Sequence, residues 1–279
     1  MVRPARQGAT WSDTFDTRNQ GEFMRISFAL TRCAAVTALL LLSGCVARPQ
    51  VKEVLNDPDG YLSKNFAPST LPDAVHNEVT SKDNGGFPYS RMVLGVSWTV
   101  SSDDKEKQLK FQDNITLMNE GGAFLGELHE DQRNGVPTVK RFNISYRGLL
   151  VLKSEALNVG NTMAGMTFVA HKFSQFDVLR PDVGGTVEYG YSAGTTAQLV
   201  NFRDYRSSCA WGDSYPASKA NAAFNGDARE IECTNYNSNG VLAGKSHYIY
   251  LKEYGTAILV KAENSTGTSE AHIDSVKMS

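Results

Sequence analysis

Ser192 sits in Gly190-Tyr191-Ser192-Ala193-Gly194, a G-x-S-x-G spacing. In that spacing two glycines permit a sharp strand-to-helix turn that lifts a nucleophilic hydroxyl out of the chain. Acyl transfer from such a serine also needs an acid and a histidine further along, and Asp204, Asp213 or Asp227 with His247 or His272 supply that order. The surroundings argue the other way. Thr195-Thr196 opens a stretch of strand character, no His-Gly-Gly segment is present to build an oxyanion hole, and a chain with 24 glycines meets the spacing readily by chance. Read as structure, Ser192 to Thr195 is the loop of a hairpin. Hydrolysis at Ser192 is therefore the alternative reading, and the balance is against an enzyme.

The histidines give little chemistry. His129 lies in Glu127-Leu128-His129-Glu130-Asp131, which lacks a second histidine at ligand spacing and reads as a solvated turn before Asn134-Gly135. His247 alternates with Ile249 as on a strand, and His76 falls in a polar stretch. No metal site and no cofactor is expected. Tyrosines crowd the last third, from Tyr189 to Tyr254, with Trp211 among them. Such rings can line a sugar- or peptide-binding face, but a β core is the better account, since β-propensity alone explains them.

The strongest signal lies near the start. Leu42-Ser43-Gly44-Cys45 closes the apolar run Ala34 to Leu42, which follows Met24-Arg25 and Arg32. A basic n-region, a short apolar core and small residues before a cut make a secretory signal, and the run is far below the roughly 20 residues a membrane span needs. The segment resembles the lipobox of bacterial lipoproteins. That resemblance implies a diacylglycerol thioether on Cys45, cleavage before Cys45, and acylation of the new amine. Three acyl chains would hold far more firmly than the marginal grip of one. The rival Cys33 follows Thr31-Arg32, whose bulky charge departs from the motif. Val46-Ala47 after the lipidated cysteine, with no aspartate, favours by resemblance the outer membrane, facing the periplasm.

Removing residues 1–44 takes away five arginines and three acids, leaving 23 basic against 27 acidic residues among 235. A net charge of −4 with no basic stripe argues against nucleic acid as a partner. Of the four cysteines, Cys33 leaves with the signal and Cys45 takes lipid. Cys209 and Cys233 remain, and in an exported, oxidising setting they are expected to form a disulfide.

The chain divides accordingly. Residues 1–23 read as an upstream extension, with Met24 as the start; 24–44 as the signal peptide; 45–86, broken by Pro49, Pro58, Pro68 and Pro72, as a tether; and 87–279 as the globular domain, with a possible seam near 181–185. Met92, Leu94, Val96, Trp98 and Val100 alternate as one face of a half-buried strand, and further short β runs separated by turns follow. One segment, Ala217 to Phe224 behind Ser214 and Pro216, predicts a short helix stapled to the sheet by the disulfide. The fold expected is mainly β: an antiparallel sandwich or barrel-like domain. The function expected is a lipid-anchored envelope module. Its partners would be the membrane, through Cys45, and a protein or other envelope component.

Overall fold

A computed structural model describes residues 51–102, 108–162 and 164–279. The signal segment, its cleavage site and Cys45 lie outside the described residues. Twelve antiparallel strands follow one another as neighbours and close into a barrel, β12 pairing back onto β1. The strands are β1 Arg91–Ser101, β2 Gln108–Asn119, β3 Phe124–Arg133, β4 Val136–Tyr146, β5 Leu150–Asn158, β6 Phe168–Phe176, β7 Thr186–Thr195, β8 Arg203–Pro216, β9 Asp227–Tyr236, β10 Leu242–Leu251, β11 Thr256–Asn264 and β12 Gly267–Met278. The mainly β, barrel-like fold expected from the alternation is the one observed. In β1 the alternating residues Met92, Leu94, Val96 and Trp98 are buried. Closure gives every strand a neighbour on both sides, so no strand is an edge along its whole length.

Two seams interrupt the barrel. β5 and β6 pair only through Lys153↔Val169 and Ser154↔Phe168, and β11 and β12 only over Lys261–Asn264 against Gly267–Glu270. Beyond those pairs the strands diverge, and each opening is filled by a short helical or turn segment. At the β11–β12 opening, Ala217 and Phe224 pack with Tyr254, Ile258 and Ile273, while Asn221 Nδ2 donates to the Ile273 carbonyl at 2.9 Å.

The segment expected to be a tether fills the β5–β6 opening. Three helices, α1 Val51–Asn56, α2 Pro58–Asn65 and α3 Asp73–Lys82, bury Val51, Val54, Leu62, Phe66, Val75 and Val79 in the core. Pro58, Pro68 and Pro72, which suggested an extended linker, stand at the starts of helical segments instead: Asp57 caps α2 by accepting from the Gly60 N–H at 3.0 Å, and Pro58 occupies its first turn. Phe66 stacks on Phe142 with ring centroids 5.9 Å apart, and Tyr61 meets the same ring edge-on at 4.9 Å. Lys153 Nζ donates to the Asn65 carbonyl at 2.6 Å, and Lys82 Nζ to the Phe176 carbonyl at 3.0 Å, so the helices tie β5 to β6. Residues 51–82 therefore belong to the domain, and among the described residues nothing corresponds to the tether.

The expected helix after Pro216 is only a single 3₁₀ turn, Ala217–Lys219. The disulfide Cys209–Cys233 is present, but it joins directly opposed residues of β8 and β9 rather than helix to sheet. Residues 181–185 are a β6–β7 turn within the continuous barrel, not a seam between domains. No helix among the described residues is long and apolar enough to cross a membrane.

Candidate functional site

Ser192 lies in the middle of β7, with Lys172 of β6 on one side and Asp204 of β8 on the other. Gly190 and Gly194 belong to the same strand, so the expected hairpin loop is also displaced, to residues 196–202. The strand-to-helix turn of a nucleophile elbow is missing here. His247 stands on β10, three strands away, and His272 on β12 is 79% exposed beside Asp274. The acid–histidine set proposed from chain order is thus not assembled around Ser192.

A different histidine stands on the neighbouring strand. β6 bulges at His171, between Ala170↔Ala193 and Lys172↔Ser192. The His171 ring lies 3.7 Å from the Phe202 ring, and Phe202 packs over Gly194. Ser192 Oγ and His171 Nε2 are both buried and both lack a hydrogen-bond partner. Burial holds the His171 imidazole below its usual pKa, which favours its neutral form.

A buried set of charged groups occupies the stretch around His129, which is strand and not the turn expected from the sequence. Alternation places Asp113 of β2, Glu127, His129 and Asp131 of β3, and Arg141, Asn143 and Ser145 of β4 on one face of three neighbouring strands. On the opposite face, Phe124, Leu128, Phe142 and Ile144 pack with the helices. The cross-strand pairs Asp113↔Asp131, Glu127↔Asn143 and His129↔Arg141 bring these polar side chains within reach of one another.

Both nitrogens of His129 are engaged. Nδ1 donates to Asp113 Oδ2 at 2.9 Å and Nε2 to Glu127 Oε2 at 3.3 Å. Glu127 also accepts from Asn143 Nδ2 at 3.1 Å and from the Ser145 hydroxyl. Asp113 accepts the Glu130 backbone N–H at 2.9 Å, and Arg141 reaches Asp131 at 2.8 Å and Asp113 at 3.5 Å. Burial works against the charge on His129, but Asp113 and Glu127 outweigh it and push its pKa up to about 9. Burial likewise opposes ionisation of Glu127, and the His129, Ser145 and Asn143 donors overcome it, so its carboxyl stays below the usual range. At neutral pH this is an imidazolium clamped between two carboxylates. It carries fixed charge into the barrel and has no free nitrogen with which to accept a proton.

Across the barrel on β10, Tyr248 is half-buried, and desolvation together with the Glu127 charge raises its hydroxyl to about 12 against the opposing Ser246 hydrogen bond. No group of three or more histidine, cysteine, aspartate or glutamate side chains suited to hold a metal occurs among the described residues. The signal that could have found this cluster was the inverted alternation of β3, where Glu127, His129 and Asp131 continue the face begun by Leu125. Compared with known proteins, the chain shows no significant match to any family model, curated protein or solved structure.

Proposed function

We propose that this chain is a lipid-anchored protein of the cell envelope, held through Cys45 to the periplasmic face of the outer membrane, where its barrel serves as a binding or structural accessory module. One observation carries the reading: the lipobox-like Leu42-Ser43-Gly44-Cys45 ends only six residues before Val51, which is already a core residue. Six residues of extended chain reach at most about 22 Å, so the domain would be held close to the lipid surface rather than lifted away from it. The test is the intact mass of the mature N-terminal peptide, together with in-cell crosslinking of the native protein and a Cys45→Ala form. A diacylglycerol-modified Cys45, with a recurrent crosslinked partner that disappears in Cys45→Ala, is the expected result. An unmodified N-terminus would end the anchor reading, and an absence of partners in both forms would end the accessory-module reading.

The second reading is an envelope hydrolase that uses Ser192. It now rests on His171 rather than His247 or His272, because Ser192 Oγ on β7 and His171 Nε2 on the neighbouring β6 are both buried without a hydrogen-bond partner. Fluorophosphonate labelling that vanishes in both Ser192→Ala and His171→Gln would support it, and absence of labelling in the native protein would remove it.

A further inference from the structure

We infer that one end of the barrel is a lipid-facing rim, on which apolar hairpin tips insert into the membrane surface beside the anchor. The inference rests on the Cys45 reading above and adds to it the orientation of the domain. Six of the hairpin connections open at the end where β1 passes to β2, and four consecutive ones carry large exposed apolar side chains. They are Val136 at the first position of β4, Met166 between β5 and β6, Leu199 and Val200 between β7 and β8, and Val241 with Leu242 where the β9–β10 connection enters β10. Leu199 is 87% exposed and Val200 67%. Such residues scattered singly need no explanation, but an arc of them along one rim marks an interaction surface.

The start of the domain lies on the same arc. The Val51 N–H donates to the Thr162 carbonyl at 3.2 Å, and Thr162 belongs to the β5–β6 connection that also carries Met166. The chain before Val51 therefore departs from the apolar part of the rim, with only six residues back to Cys45. An acyl-bearing Cys45 within that reach brings this rim, and not the opposite end, against the membrane. The remaining two connections are polar in sequence: Asp103-Asp104-Lys105-Glu106-Lys107 between β1 and β2, and Ser265-Thr266 between β11 and β12. The apolar arc thus lies on the side of the rim where the described chain begins at Val51.

Lipid is the occupant this shape fits. The apolar side chains sit on the tips of separate hairpins, and a fluid interface can close around each tip without a complementary rigid partner. Shallow burial of such tips adds to the hold of the acyl chains and fixes the tilt of the barrel.

The experiment uses the full chain, exported and matured in cells. Single reporters, Leu199→Cys and Val241→Cys on the rim and Val183→Cys at the other end, are labelled with an environment-sensitive fluorophore. The proteins are reconstituted in vesicles of phosphatidylethanolamine and phosphatidylglycerol that contain lipid with a nitroxide high on its acyl chain. The intact mass of each mature protein reports separately whether Cys45 carries lipid. With lipid on Cys45, the expected result is loss of most fluorescence at Leu199→Cys and Val241→Cys and none at Val183→Cys. Lipidated protein whose rim labels stay unquenched would overturn the rim and leave the anchor standing. So would equal quenching at all three positions. Rim labels that shift to the blue without quenching would mean that protein, a second copy included, covers the arc, and would also overturn the inference. Protein without lipid on Cys45 would remove the anchor reading, and the orientation argument would fall with it.

Discussion

Arg147 grips Asp83 through two parallel hydrogen bonds, Nε to Oδ2 at 2.6 Å and Nη2 to Oδ1 at 2.7 Å. Both side chains are about nine-tenths buried. Asp83 follows α3, while Arg147 stands at the tip of the β4–β5 hairpin with φ 50°. The same guanidinium donates to the Gly85 and Gly255 carbonyls, the Tyr146 hydroxyl donates to Asp83 Oδ2 at 2.8 Å, and the Ala257 N–H donates to the Arg147 carbonyl at 2.8 Å. One ion pair therefore joins the N-terminal helices, the first half of the barrel and β11. Burial alone would raise the Asp83 pKa, but Arg147 outweighs it and holds the carboxyl below its usual range.

Removing one member of a buried pair leaves the other charge unmatched, at a cost of about 3–5 kcal/mol. Arg147→Met is expected to destabilise the domain by that amount in urea titrations, because Asp83 stays behind without its cation. The double variant Arg147→Met with Asp83→Leu should recover a large part of the loss. If Arg147→Met shifted stability by less than about 1 kcal/mol, the pair would be no more than a surface bridge. Since the folded-state pKa of Asp83 is depressed, its contribution is present above the unfolded value near 3.9 and is lost as pH falls through the lower folded value.

His129 gives the opposite pH dependence. Its pKa is raised to about 9 in the folded protein, so its contribution is complete below the unfolded value of about 6.5 and disappears as pH rises through about 9. The urea midpoint should fall between pH 7 and pH 10 in the native protein, and that alkaline fall should be reduced in His129→Gln, which keeps polar donors but no charge. An NMR titration of the His129 ring ending near pH 6.5 would contradict the clamp formed by Asp113 and Glu127.

How far the sequence could be read follows from where each signal resides. Local alternation is a property of the strand itself, so Met92, Leu94, Val96 and Trp98 announced β1, and a series of such runs announced a barrel-like fold. The helices near the start were hidden for the converse reason. Leu62, Phe66, Val75 and Val79 are too few and too interrupted by proline to form a long apolar stripe, and their burial comes from Phe142, Phe124 and the gap between β5 and β6. That gap is tertiary and leaves no local trace. His129 escapes a local reading because a polar face ordinarily points to solvent, whereas here cross-strand partners offset its burial with charge pairs. Cys209 and Cys233 were legible as a pair, since two cysteines allow one connectivity, but not as neighbours on adjacent strands.

The disulfide supports a prediction of its own. It spans 24 residues of sequence, and opening a loop of that size should cost about 3 kcal/mol if its effect lies in the unfolded chain. Cys209→Ala with Cys233→Ala should therefore lower unfolding stability by about that much while leaving the far-ultraviolet circular dichroism of the barrel unchanged. Loss of the β spectrum at room temperature would mean that the β8–β9 pairing depends on the bond.

Ser192 separates packing from chemistry most cleanly. Its hydroxyl is buried at 5% exposure and its Oγ has no partner, so the folded state carries an unsatisfied polar group. Leaving such a group unpaired costs about 1–3 kcal/mol, and removing it should relieve part of that cost. Ser192→Ala is expected to keep the fold and match or exceed native stability, by up to about 1 kcal/mol in urea titration. Ser192→Val probes the space, since β7 is packed between β6 and β8 and Phe202 lies close above Gly194. Overpacking there should cost about 1–3 kcal/mol. A clear loss of stability in Ser192→Ala would mean that Oγ is hydrogen-bonded in solution, and the hydroxyl would then need a partner such as water or the His171 ring.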